Sequence, residues 1–140
     1  MAGYNKFEDF VVQLCSGVHQ LHTAGHQLEV YLSDEQPLAA DTVKTDIAEI
    51  TIENGYTGPA DIANDVDESP AGTARLLGSD KQWTATAGGF GTLQFAVLFN
   101  QDAASPLDAL IAWWDYGSSI TVNDGESFTV DFGTPIFTLA

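Results

Sequence analysis

Three histidines, His19, His22 and His26, lie close enough together in the sequence to raise the question of a metal. On one helix their spacing would turn two imidazoles to one side, where zinc or copper accepts neutral nitrogen ligands. No third or fourth ligand is signalled, and Gly25 stands before His26 as a helix stop. Imidazoles near a helix C-terminus also interact favourably with its dipole, so neither metal nor cofactor is expected. The run "ADIANDVDES" carries Asp61, Asn64, Asp65, Asp67 and Glu68, oxygen donors of the kind calcium takes. It lacks the glycine and closing glutamate of a calcium loop and reads as a solvated acidic loop. "TAGGFGT", Thr86 to Thr92, has no Lys-Ser/Thr ending and leads into a strand, so no helix N-terminus is there to hold phosphate. Ser118 and Ser119 fall in an expected turn with no histidine beside them. No nucleophile, base and orienting group are signalled together, and in so acidic a chain a chosen pair of carboxylates carries no information. The chain is therefore expected not to be an enzyme. Cys15 is the sole cysteine, which excludes an intrachain disulfide; its apolar helical surroundings predict a buried, inert thiol.

The aromatic residues Trp113, Trp114 and Tyr116 are the remaining candidates. Side chains that alternate along a strand point to opposite faces, so two adjacent indoles on a regular strand cannot form one flat sugar-binding platform. Leu110, Ala112, Trp114 and Tyr116 would share one face, and Ile111, Trp113 and Asp115 the other. Both faces are rich in apolar groups, as in a central strand covered on both sides. One cover would be an opposing sheet. The other would be the N-terminal helix or a neighbouring subunit, which makes these aromatics candidates for core or subunit interface.

The elements that must position these residues follow from hydrophobic period. Asn5 and Glu8 have the spacing of a capping box, and Phe7, Phe10, Val11, Leu14, Cys15, Val18 and Leu21 continue a helical stripe, which predicts a helix over about 5–22. From residue 27 onward the period is mostly two. Leu28, Val30 and Leu32 form one strand, Leu93 to Phe99 another, and Leu110 to Val122 a third. The "NDG" before Phe128, Val130 and Phe132 predicts a hairpin with Gly125 in the left-handed region. Asp41 to Glu49 suggests a short helical turn, Ile50 and Ile52 a short strand, Asp61 to Gly78 a loop plus a weak strand at Arg75 to Leu77, and "IFTLA" a final strand. The whole reads as a single domain, residues 1–140: a mainly β, antiparallel β-sandwich over about 27–140 with one amphipathic N-terminal α-helix packed against it.

Composition narrows the partners. The chain has 20 Asp and Glu against four Lys and Arg, a formal net charge of −16. So few scattered cations cannot build the basic face that nucleic acid requires, nor a polybasic membrane anchor. The apolar content of 44% is enough for a real core, and no apolar run approaches a membrane span. Folding in a cytoplasm is expected.

The order of motifs resembles a family of small tailed-bacteriophage virion proteins. The segments that carry it are "YNKFEDFV" at Tyr4, "VHQL" at Val18, "NGYTG" at Asn54, "FAVLFN" at Phe95 and "LIAWWDYGSSITVNDGESFTVDF" at Leu110, while Asp61 to Lys81 departs from it. The resemblance implies a head-associated structural protein, a capsid decoration or cement protein, with the major capsid protein as partner. A homo-oligomer, dimer or trimer, on the capsid of the virion is the expected state, after assembly in the host cytoplasm. A neck or tail component, or a carbohydrate-binding module on the virion surface, is the alternative. The pattern supplies no catalytic residues, and "HTAGHQ" stands where the family has a short linker, so a role for its histidines is not inherited.

Overall fold

A computed structural model of the chain describes residues 2–140. The first strand, β1 (Gly3–Lys6), leads into helix α1 (Asp9–Cys15). β2 (Leu28–Ser33) follows a loop, and a 3-10 turn at Lys44–Asp46 precedes the short strands β3 (Ala60–Asp61), β4 (Asp65–Glu68), β5 (Ala74–Leu77) and β6 (Lys81–Thr84). The two long strands, β7 (Phe90–Asn100) and β8 (Leu110–Val122), come next, then β9 (Ser127–Val130) and β10 (Phe137–Leu139). All pairings are antiparallel among the described residues. They make a five-stranded sheet β1-β8-β7-β2-β3, a three-stranded sheet β10-β5-β4 and a two-stranded sheet β6-β9.

The architecture is the expected mainly β sandwich with one helix. Val30, Leu32, Ala96, Leu98, Ala112 and Trp114 of the large sheet meet Leu76, Trp83, Phe128 and Val130 of the two small sheets in one continuous core. The reverse face of the large sheet carries a second, smaller cluster of Tyr31, Val97, Phe99 and Leu110, closed by Phe7 and Ile47. β2 and the Phe95–Asn100 half of β7 are thus buried on both faces, with only Glu29 of β2 partly exposed among them.

The helix differs from the expectation at both ends. Asn5 does not cap it; it lies in β1, opposite Trp113. A short polar strand such as Gly3–Lys6 has no period of its own, and cross-strand pairing with β8 outweighs the local capping signal. Glu8 occupies the cap position, and the helix runs only to Cys15. It ends at Gly17, φ +81°, the left-handed residue that closes many helices, and not at Gly25. A Cβ at Gly17 would meet open space, so Gly17→Ala should cost only the backbone strain of about 1–2 kcal/mol. A lowered thermal midpoint checks this; an unchanged one means the left-handed turn does not hold in solution. Cys15, on this shortened helix, is exposed, because the core-facing positions are taken by Phe10 and Gln13.

Four further readings change. The "NDG" turn has Gly125 at φ +85° as expected, but β8 and β9 do not pair. β9 pairs with β6, so this turn carries the chain from one sheet across to the other. Ile50 and Ile52 form no strand, although the Ile50 amide bonds the Leu32 carbonyl at 3.0 Å. Residues 60–68, expected as loop, supply β3 and β4, which owe their order to Leu76 and Val30 across from them. Ser118 and Ser119 lie within β8, in a stretch that bulges away from β7 between the Phe95–Asp115 and Leu93–Ile120 pairs.

Candidate functional site

The two indoles separate as strand alternation requires. Trp114 is 3% exposed and points into the sandwich, edge-on to Phe132 at 5.1 Å and to Tyr4 at 6.0 Å between ring centres. Trp113 points to the reverse face, half-buried, its ring 4.6 Å from Phe7. Tyr116 stands edge-on to Phe128 at 5.1 Å, and burial, with the charge of Asp131 adding to it, pushes its phenol up to about 12. No shared flat platform exists.

The facing of the strand's start departs from simple alternation. Leu98 lies opposite Ala112 but Phe99 opposite Leu110, so Ile111 is an extra residue, a β-bulge. The bulge turns Leu110 to the reverse face with Trp113 and brings Ile111 inside with Trp114. Within the chain the reverse face is covered by Phe7, ahead of the helix, together with the segment after β2. Tyr31 donates its hydroxyl to the Ile47 carbonyl at 3.0 Å, and Lys44 Nζ sits 4.7 Å above the Tyr31 ring while bonded to Glu49 at 3.0 Å. Burial, reinforced by the nearby charge of Glu49, raises the Tyr31 phenol far above its ordinary value, so it acts here as a fixed neutral donor.

A second constellation lies where the helix and the following loop close one end of the sandwich. Asn100, fully buried at the end of β7, accepts the Asp102 amide through Oδ1 at 3.0 Å. Its Nδ2 therefore has both hydrogens to give, one to His19 Nδ1 at 3.0 Å and one to His26 Nδ1 at 2.9 Å. Those bonds fix both imidazoles with a bare Nδ1. The His19 proton must then sit on Nε2, which donates to Gln13 Oε1 at 2.9 Å. Burial, with the nearby His26 adding to it, holds the His19 imidazole down at about 4, so it is neutral. A buried Asn64 completes the joint: its amide bonds the carbonyls of Leu21 and His26, and its oxygen accepts the Leu28 amide.

This joint explains where the three histidines go. His19 is 5% exposed with both ring nitrogens occupied, so it is neither a base nor a metal ligand. His26 shares an amide with it, not an ion, and His22 is exposed in the loop. Among the described residues no group of three His, Cys, Asp or Glu is gathered for a metal. Two shallow grooves of about 380 and 280 Å³ meet at His26 and Asp102, but Asp102 already accepts the Gln27 amide at 2.8 Å. The available chemistry is the holding of a loop. Asn100 and Gln13 were invisible as site residues in the sequence, where the only signal is a polar Asn100 closing the apolar run "FAVLFN", and Asn64, expected in a solvated acidic loop, is instead 6% exposed.

The charged side chains are largely spent on local structure as well. Asp46 takes the amides of Thr42 and Val43, and those bonds hold its carboxyl below the usual range. Glu126 does the same for Asn123 at the sheet-crossing turn. Arg75 lies across from Asp67 and makes a two-pronged ion pair with it. Comparison with known protein families, with curated proteins and with solved structures finds no match to this chain.

Proposed function

We propose that this chain is a non-enzymatic structural protein of a tailed-bacteriophage particle, binding the outer surface of the capsid and stabilising it as a decoration or cement protein. The observation that supports a binding role is the contrast on its surface. Val12, Leu38, Ile52 and Leu107 are more than half exposed, and Val11 and Leu139 are 40% and 43% exposed, on a chain of net charge −16. Buried His19 and Tyr31 are meanwhile committed to internal bonds, which supports reading the exposed apolar groups as a contact surface. The partner comes from the ordered motif resemblance, above all the block from Leu110 to Phe132.

A decoration subunit acts by touching several shell neighbours at once, so modest contacts add up against the outward strain of a filled capsid. Self-association as a dimer or trimer about a capsid symmetry axis fits that role. Its acidity would keep filled particles apart. Particles lacking the protein should assemble yet break more readily on heating or dilution of salt; equal resistance with and without it defeats the cementing role. An image of the particle at side-chain detail separates a shell position from a neck or tail position by location and copy number.

A further inference from the structure

The inner face of the small β10-β5-β4 sheet is left partly uncovered. Val66 pairs with Leu76, and Glu68 with Ala74, while Leu139 pairs with Ala74 from the other side, so these side chains share one face. Leu76 is buried against the sandwich, but Val66 and Ala74 are only half-buried and Leu139 is 43% exposed. Across from them stand Leu14 of α1 and Leu21 of the loop, and together with His19, Gln20 and His22 they line a groove of about 470 Å³. Val11 continues the apolar wall one helical turn earlier, at 40% exposure.

No carboxylate lines the groove itself, but two stand near it on β4, which reads Asp-Val-Asp-Glu: Val66 faces in, Glu68 stands exposed on the same face at its end while accepting the Gly72 amide, and exposed Asp65 accepts the amides of Thr23 and Val66. Arg75, the cation nearest in sequence to Ala74, is tied to Asp67 and offers little to an incoming anion. A second copy of the chain would bring another net charge of −16 to the same rim. We infer that the groove between α1 and the end of the β10-β5-β4 sheet is the docking site for a protein segment whose aliphatic side chains are flanked by Lys or Arg. This deepens the capsid-binding reading and rests on it for the partner, which would be a basic, apolar segment of the shell protein. Aliphatic side chains would fill the groove between Leu14, Val66 and Leu139, and the flanking cations would lie along Asp65 and Glu68. The like charge of the chain disfavours self-docking, and the opposite charge steers the right partner in.

The test uses the full chain and synthetic probes: a labelled peptide with a Leu-Val-Leu core flanked by lysines, and the same core flanked by glutamates. The lysine peptide should bind saturably, with amide shifts at Leu14, Val66, Ala74 and Leu139, and the glutamate peptide roughly tenfold more weakly. Leu139→Asp and Glu68→Gln, the latter keeping an acceptor for the Gly72 amide, should weaken the lysine peptide by roughly tenfold and severalfold respectively while leaving the thermal midpoint unchanged. Equal binding of the two peptides overturns the charge assignment, and undiminished binding by folded Leu139→Asp overturns the groove. Concentration-dependent dimerisation abolished by Leu139→Asp would show a second copy to be the occupant and would also overturn it. A particle image with the chain on the shell through another face defeats the groove but keeps the capsid role. Peptide binding by a chain found elsewhere on the particle keeps the groove and defeats that role.

Discussion

Replacing Trp114 with alanine should destabilise the protein by about 3–5 kcal/mol, the range for deleting a buried large aromatic. The ring is 3% exposed at the middle of β8, with Tyr4 opposite it on β1 and Ala96 opposite it on β7. Alanine would strip the edge-on partners Phe132 and Tyr4 of their shared neighbour as well as leave a cavity. Neither small neighbour, Ala96 nor Ala112, can swell to fill it. A domain of this size holds only about 5–15 kcal/mol in total, so the urea midpoint should fall by a large fraction. Trp113→Ala should cost clearly less, since that ring is half-buried and has one aromatic neighbour, Phe7. Urea unfolding of both variants decides: equal losses, or an unmoved midpoint for Trp114→Ala, would contradict the two-faced packing.

Acid should loosen the protein through His19 before its carboxylates respond. The folded imidazole titrates at about 4, against an ordinary value of 6.5. Between those values the unfolded chain binds more protons than the folded one, so stability rises with pH across this window. The contribution is complete above pH 6.5 and is lost as the pH falls to 4, and the difference amounts to about 3 kcal/mol. Protonating either imidazole on Nδ1 would set two hydrogens against each other at the Asn100 amide, and Asn100 cannot flip without abandoning the Asp102 amide. The charged groups around the joint, Asp102 beside His26 and Asp65 beside His22, lie toward its exposed side, away from the His19–Gln13 bond. Asp46, Asp67 and Glu126 are held below their ordinary values, so their losses fall at lower pH. Urea midpoints measured from pH 7 to 4 should fall for the native chain and fall much less for His19→Gln. The same slope in both would remove His19 as the cause.

The strand pattern was legible wherever a segment is buried by its own period. β2, β7, β8 and β9 follow alternation that needs no partner to be seen, and the division of Trp113 from Trp114 follows directly from it. The bulge at Ile111 was not legible, since nothing in "LIAW" distinguishes a regular strand from one with an extra residue. Nor was β1, because "GYNK" becomes a strand only by pairing with Ala112 to Asp115. The apolar stripe from Phe7 to Leu21 is buried only at Phe7, Phe10 and Leu21, with Val11 and Cys15 exposed, and is shared among a strand end, a short helix and a loop. Gly17 divides it. The histidine joint was missed for the same reason: His19 and Asn100 lie 81 residues apart, and neither signals the other. Side chains that partner at long range leave no local spacing to read.

The pairing of β1 with β8 also sets a timetable. Asn5 and Trp113 are 108 residues apart, so a ribosome that has released the first strand must work on for about 5–20 s before its partner emerges. Until then Tyr4, Phe7 and Phe10 wait in a nascent chain with no sheet to join, among Glu8, Asp9 and the other carboxylates that keep them dispersed.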